Sequence, residues 1–186
     1  MRLRCLLLDR DGVINVDSTD YILSVREWNP IPGSLEAIAK LTRAGVQVAV
    51  CTNQSAVGRG MLSPETLEQI HRRMRDAIIA AGGQLSGVFF CPHAPEARCN
   101  CRKPAPGLIQ QALAELGCPA DTALFIGDSR RDLEAARCAG VEAWLVRTGN
   151  GRVTETALTD GTPVYDDLAS VAEKLLREMN SPEPAA

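Results

Sequence analysis

The stretch LLLDRDG, residues 6–12, decides the fold. Three apolar residues, the core of a short buried strand, run directly into two aspartates one residue apart and then a glycine that permits a turn. The pattern recurs twice. VAVC (48–51) runs into Thr52, Asn53, Gln54 and Ser55, and LFI (124–126) runs into Gly127, Asp128 and Ser129. Any one such cluster reads equally well as a loop or a helix cap. Three apolar runs that each deliver polar residues at their carboxyl ends read as one edge of an open parallel sheet, the edge where ligands bind.

Further short apolar runs lie at Val88–Phe90 and Ala143–Val146. Between the runs are segments of helical period: Leu35, Ile38 and Leu41; Leu67, Ile70, Met74 and Ile78; Leu108, Ile109, Ala112, Leu113 and Leu116; and Leu133 to Ala139. Ser63-Pro64 marks a helix start, and Gly45, Gly82, Gly117 and Gly140 mark stops. Strand alternating with helix predicts an α/β fold, a Rossmann-like parallel sheet joined by right-handed crossovers with helices on both faces. A last helix is expected over about Leu168 to Met179. Residues 1–179 then form one domain, and 180–186 a frayed polar tail.

With 186 residues, the chain is long enough for one sizeable core and too short for two ordinary domains. A net charge of -3 gives no general pull toward nucleic acid or acidic membranes, and seven aromatics without a basic stripe argue against a polynucleotide substrate. No apolar run approaches the roughly 20 residues of a membrane span, and the first residues meet Asp9 too soon for a signal peptide. A cytoplasmic protein is expected. Cys5, Cys51, Cys118 and Cys138 are scattered among apolar or helical residues, so a disulfide framework is not expected and these read as small hydrophobes. His71 and its neighbours Arg72, Arg73 and Arg75 read as a solvated helix face.

The polar clusters have a definite chemistry. Asp9 and Asp11 leave one strand two positions apart and can project to one side, where two close carboxylates repel. A cation or a shared proton relieves that repulsion and separates their roles, one toward nucleophilic work and the other toward acid–base work. Asp128, from another strand, completes an all-oxygen site for Mg²⁺, a hard cation that takes phosphate as a further ligand. Lys103 and Thr52 are groups suited to holding phosphoryl oxygens. The residues therefore predict Mg²⁺-dependent phosphoryl transfer to a carboxylate nucleophile. No GxxxxGK[ST] occurs, which argues against a P-loop.

CPHAPEARCNCRKP (91–104) adds a second metal. Cys91, His93, Cys99 and Cys101 form C-x-H-x5-C-x-C, a ligand set typical of Zn²⁺; the bland alternative is a reduced loop with three oxidisable thiols. Four protein ligands would leave no open position, so such a zinc is structural.

DRDG (9–12), TNQS (52–55), RKP (102–104) and GDSRRD (127–132) resemble, in order, the four motifs of the haloacid dehalogenase superfamily of phosphatases. Across residues 5–152, LDRDGVINVD, CTNQSAVGRG, the Cys/His loop and VRTGNG are most similar to its heptose bisphosphate phosphatase family, with the histidinol-phosphate phosphatases as neighbours. The resemblance implies an enzyme that acts on a small sugar phosphate on the way to activated heptose, and a monomer is expected. Histidinol phosphate is the alternative substrate, and a non-catalytic zinc-binding interaction module the alternative class. It implies Asp9 as nucleophile, Asp11 as general acid and base, Thr52 and Lys103 on the phosphoryl group, and Mg²⁺ on Asp9, Asp128 and the backbone carbonyl of Asp11. It strengthens zinc at the Cys/His loop. Substrate contacts would come from Asp17, Ser18, Thr19, Asp20, Asn53, Gln54, Ser55, Arg102, Lys103 and Ser129. Asp132 would be an orienting residue or a helix-start charge. The mobile cap domain common in the superfamily has no room here, and loops must cover the substrate.

Overall fold

The computed structural model describes residues 3–180. In chain order the elements are β1 (Cys5–Leu8), α1 (Ser34–Arg43), β2 (Gln47–Asn53), α2 (Ser55–Gly58), α3 (Pro64–Ala80), β3 (Gly87–Cys91), α4 (Gly107–Leu116), β4 (Ala123–Gly127), α5 (Arg130–Cys138), β5 (Glu142–Val146), α6 (Gly151–Glu155), β6 (Val164–Tyr165) and α7 (Leu168–Asn180). The six strands are all parallel, in the order β3-β2-β1-β4-β5-β6. Strand order therefore reverses between β1 and β4. That switch point opens a crevice at the carboxyl ends of those two strands, where Asp9 and Asp128 emerge.

The apolar runs are continuous because both sheet faces are covered. Leu6 and Leu8 of β1 face one core with Val48, Val50, Leu124 and Ile126, closed by α1, α3 and α7. Cys5 and Leu7 face the other with Ala49, Cys51 and Phe125, closed by α4 and α5. Five strands fall on the expected runs. The sixth, β6, is only two residues long, too short for a periodic signal. The expected helix start is present: the Ser63 hydroxyl accepts from Thr66 N at 3.1 Å and Pro64 is the first helical residue. At the end of α4, Gly117 takes the left-handed conformation with φ 60°. No inserted cap domain interrupts the described residues. The long segment between β1 and α1 instead folds over the sheet edge, anchored by buried Trp28, whose indole donates to Asn15 Oδ1 at 3.0 Å.

The structure corrects two readings. His71 is fully buried, since position 71 shares the stripe of Leu67, Ile70, Met74 and Ile78 and its ring packs on Phe90 at 5.4 Å. Burial, helped by the charges of Arg10 and Arg75, lowers its pKa to about 3, so it is a neutral core residue. Arg72 and Arg73 do lie on the exposed face. Cys138, at the last turn of α5, is exposed, whereas Cys5, Cys51 and Cys118 are buried. The final helix extends to Asn180, and the rest of the expected tail lies outside the described residues. Among the described residues no helix is long and apolar enough to cross a membrane.

The central strand sets the stability of the crevice. Leu7→Ala, at a site with no solvent exposure, is expected to cost about 2–5 kcal/mol. Urea unfolding at constant m-value checks this.

Candidate active site

The crevice has a volume of about 190 Å³ and is floored by Asp9, Asp11, Thr52, Lys103, Asp128 and Asp132. These residues come from the ends of β1, β2 and β4, from the loop before α4 and from the first turn of α5.

Lys103 is the hub. Its ammonium lies 2.9 Å from Asp9 Oδ2 and 2.6 Å from Asp132 Oδ1, at 1% side-chain exposure, and 5.3 Å from the Phe125 ring centroid. Burial opposes its charge, but Asp132 and Asp9 outweigh that and hold it firmly protonated. Its backbone is fixed from β2: Asn53 Oδ1 accepts from Lys103 N at 3.1 Å, and Asn53 Nδ2 donates to Lys103 O at 3.0 Å. Asp132 uses its other oxygen to accept from Ser129 N at 3.0 Å and Ser129 Oγ at 2.6 Å, closing a capping box at the start of α5. Asp132 is thus both the helix-start charge and the group that orients Lys103.

The two aspartates of DRDG are separated as their spacing predicts. Burial pushes Asp9 up to about 8, with Lys103 opposing and Asp132, Asp128 and Asp11 adding to the rise. Asp11 shifts the other way. Burial would raise it, but the Arg10 guanidinium and hydrogen bonds from Asn15 Nδ2 at 2.9 Å and Gln54 Nε2 at 2.9 Å hold it below the usual carboxylate range. Arg10, 1% exposed, grips both Asp11 oxygens at 3.0 Å and also donates to Gln54 Oε1 at 3.0 Å. Gln54 completes the frame by donating to Thr52 Oγ1 at 2.9 Å, which leaves the threonine proton free to face the crevice.

Asp128 closes the floor. Burial and the charge of Asp132 push it up to about 7, against hydrogen bonds from Asn150 N at 2.7 Å and Asn150 Nδ2 at 3.1 Å. Its surroundings require glycine: Gly12 (φ 82°) and Gly149 (φ 57°) bring bare backbone against it, and a Cβ at either would sit 2.2 Å from Asp128 Oδ2. Carboxylate oxygens of Asp9, Asp128 and Asp132 lie within 4.8 Å of one another. Four carboxylates on the floor face two cations, Arg10 and Lys103, a shortfall equal to the charge of one divalent cation. Burial raises both Asp9 and Asp128, the neighbouring carboxylates add to the rise, and the donor set fits Mg²⁺. The Asp11 side chain stands outside this cluster, held by Arg10, Asn15 and Gln54.

Of the expected substrate contacts, Asp17, Ser18, Asn53, Gln54, Ser55, Arg102, Lys103 and Ser129 line the crevice, whereas Asp20 lines a neighbouring groove and Thr19 neither. Gln54 and Ser129 spend their polar side chains inside the protein, on Asp11 and Thr52 and on Asp132 respectively. Asn53 spends its amide on Lys103. Tyr21, Ile22, Arg131 and Asn150 also line the crevice without having been anticipated. Asn150 bridges its two sides, since its Nδ2 donates to Asp128 and, at 3.1 Å, to Asp17 Oδ2. Asn150 falls in VRTGNG (146–151), a stretch that carried the resemblance without assigning this residue a role.

Cys91, His93, Cys99 and Cys101 do converge. Cys101 Sγ lies 3.2 Å from Cys91 Sγ, 3.4 Å from Cys99 Sγ and 3.3 Å from His93 Nδ1, with Cys91 3.6 Å from both Cys99 Sγ and His93 Nδ1. A tetrahedral zinc with bonds of about 2.0–2.3 Å spaces its ligands roughly 3.3–3.8 Å apart, so the four residues could hold that ion. Crowding already splits the thiols. Burial and the bond to Cys101 push Cys91 up to about 12. At Cys99 burial raises the pKa, but hydrogen bonds from Cys101, Cys91, the Arg102 backbone and His93 together outweigh it and bring it down to about 7.

A carboxylate pair, a threonine, a buried lysine and an acidic cluster at the switch point of this sheet define a haloacid dehalogenase-type hydrolase. Residues 100–171 match the HAD-hydrolase-like family model. The chain is 48% identical over 173 residues to the D-glycero-beta-D-manno-heptose-1,7-bisphosphate 7-phosphatase of Pseudomonas aeruginosa, covering 92% of this chain and 97% of that one. It is 46% identical over 178 residues to the enzyme of that name from Bordetella bronchiseptica, covering 95% and 99%. The crystal structure of a D,D-heptose 1,7-bisphosphate phosphatase from B. bronchiseptica, complexed with magnesium and phosphate, superposes with a TM-score of 0.91 at 46% identity over 95% of this chain and 99% of that one. The chain belongs to this heptose bisphosphate phosphatase family of phosphoric monoester hydrolases.

The double bond between the Asn53 amide and the Lys103 backbone is directly testable. Asn53→Ala removes both anchors and is expected to lower kcat about 10- to 100-fold. Asn53→Asp keeps the acceptor but not the donor and should fall between the two in steady-state kinetics.

Proposed function

We propose that the protein hydrolyses the C7 phosphate of D-glycero-β-D-manno-heptose 1,7-bisphosphate, releasing phosphate and heptose 1-phosphate, and that residues 1–179 work as one catalytic domain. The observation that carries the reading is Asp9, exposed to the crevice and oriented by Lys103, beside an acidic cluster short of one divalent cation. The substrate is supported by the relatives and the neighbouring structure, whose names specify that bisphosphate.

In the first half-reaction a carboxylate oxygen of Asp9 attacks the C7 phosphorus. The bond to the sugar oxygen breaks, Asp11 gives that oxygen its proton, and an aspartyl phosphate forms. In the second, Asp11 takes a proton from water, whose oxygen attacks the phosphorus and returns Asp9. Arg10, Asn15 and Gln54 hold Asp11 as the carboxylate that takes the proton in the second half, and the proton it gives in the first half arrives with the substrate, whose monoprotonated C7 phosphate passes it to Asp11 on binding. Lys103 and the Thr52 hydroxyl hold phosphoryl oxygens. Asp9, Asp128 and the Asp11 carbonyl would hold Mg²⁺, which would neutralise charge on the transferring group and favour the ionised forms of Asp9 and Asp128.

Zinc at Cys91, His93, Cys99 and Cys101 is structural on this reading. It ties the end of β3 to the backbone just before Arg102 and Lys103, and needs a reducing compartment, in keeping with a cytoplasmic enzyme.

Asp9→Asn is expected to reduce phosphate release about 10⁴-fold or more with unchanged circular dichroism. Substantial residual turnover would remove Asp9 from the nucleophile role. The substrate is checked by kcat/KM for the two heptose bisphosphate anomers and for histidinol phosphate side by side, with the β-bisphosphate expected to lead. Cys99→Ser is expected to lower bound zinc, read by plasma emission spectrometry, together with activity; unchanged zinc and activity would dismiss the site.

A further inference from the structure

The crevice is lined by four cations, and two are already committed. Lys103 is clamped between Asp9 and Asp132, and Arg10 is spent on Asp11 and Gln54, each at 1% exposure. The other two lie at the rim. Arg102 is half-buried and donates only a 3.3 Å bond to the His93 carbonyl, and Arg131, in the first turn of α5, is exposed and makes no hydrogen bond or ion pair among the described residues. The only acid on that rim, Asp17, is engaged by Asn150.

Position 129 was the expected substrate contact on this helix, yet Ser129 is buried and its hydroxyl is donated to Asp132 at 2.6 Å. Two residues later, Arg131 is the side chain of this turn that reaches the crevice with its charge unspent. A substrate whose first phosphate sits on the floor presents its second at the rim, as a dianion in need of hydrogen-bonding cations. A planar guanidinium suits that group through paired N–H donors.

We propose that Arg131 is a specificity-determining residue that binds the second phosphate of a sugar bisphosphate, acting beside Arg102. This deepens the proposed function and rests on the bisphosphate reading. It assigns Arg131 to recognition and not to bond-making, so its effect depends on whether the substrate carries a second phosphate.

The test compares Arg131→Ala, Arg131→Lys and Arg131→Glu on heptose 1,7-bisphosphate and on heptose 7-phosphate, with magnesium present. Arg131→Ala should lower kcat/KM for the bisphosphate about 10- to 100-fold, chiefly through KM, and leave the monophosphate within about twofold. Arg131→Lys should recover part of the loss and Arg131→Glu deepen it. Arg130→Ala, on an exposed residue paired with Glu134 away from the crevice, should change neither substrate. Equal losses on both substrates would show that the substitution disturbs the Ser129–Asp132 cap, and no loss on either would show that Arg131 faces solvent only; each result overturns the proposal. If heptose bisphosphate itself is not turned over, the substrate reading fails separately. The same comparison with fructose 1,6-bisphosphate and fructose 6-phosphate then decides Arg131, with a bisphosphate-selective loss upholding it and an equal or absent loss overturning it.

Discussion

One buried ammonium organises the site. Lys103 touches Asp9 at 2.9 Å and Asp132 at 2.6 Å while almost wholly removed from water, and a charge so placed is tolerable only if its partners are held in position. Breaking such a pair by removing one partner costs about 3–5 kcal/mol, since the remaining charge stays buried and uncompensated. Each neighbour of Lys103 is accordingly fixed from another element: Asp9 by the end of β1, Asp132 by the capping box of α5, and the lysine backbone by the Asn53 amide at the end of β2. Two strands and a helix meet at one cation, so site geometry and sheet registry are the same constraint.

The pKa values of the floor diverge for a physical reason. Asp9 and Asp128 share a dry, acidic space with too little positive charge, and both rise. Asp11, equally buried, has a private guanidinium and two amide donors, and falls. Two carboxylates two residues apart are thereby made different before any substrate arrives. The first pair awaits a cation and the third is already satisfied, which separates the phosphoryl-bearing side of the crevice from the proton-handling side.

Much of this was legible from the residues. LLLDRDG, VAVC-TNQS and LFI-GDS located three strand ends, and alternation of apolar runs with helical period gave the parallel two-faced sheet. The Cys/His set converged because its ligands all lie within one short loop, where spacing limits the geometry. What stayed hidden depended on direction and long-range pairing. Nothing local says that Gln54 turns inward to Asp11, that Ser129 bonds Asp132, or that Asn150 reaches from beyond β5 to both Asp128 and Asp17. His71 is the instructive miss. Its helical position already placed it on the core stripe with Leu67 and Met74, but its polar identity was given more weight than its phase.

The inward-turned side chains also explain how a fold without an inserted cap can retain a small substrate. Gln54, Asn53 and Ser129 line the crevice while their side-chain polar groups are spent on Asp11, Thr52, Lys103 and Asp132, which stiffens the floor. The segment after β1 is pinned by Trp28 to Asn15, and Asn15 in turn donates to Asp11, so the wall that carries Asp17 and Ser18 is registered to the acid–base residue itself. Asn150 ties the same wall to Asp128 from the opposite side. A crevice walled in this way needs no closing domain to align its substrate, because floor and rim share hydrogen bonds. Selectivity then resides in the few rim groups whose charges the protein has not already spent.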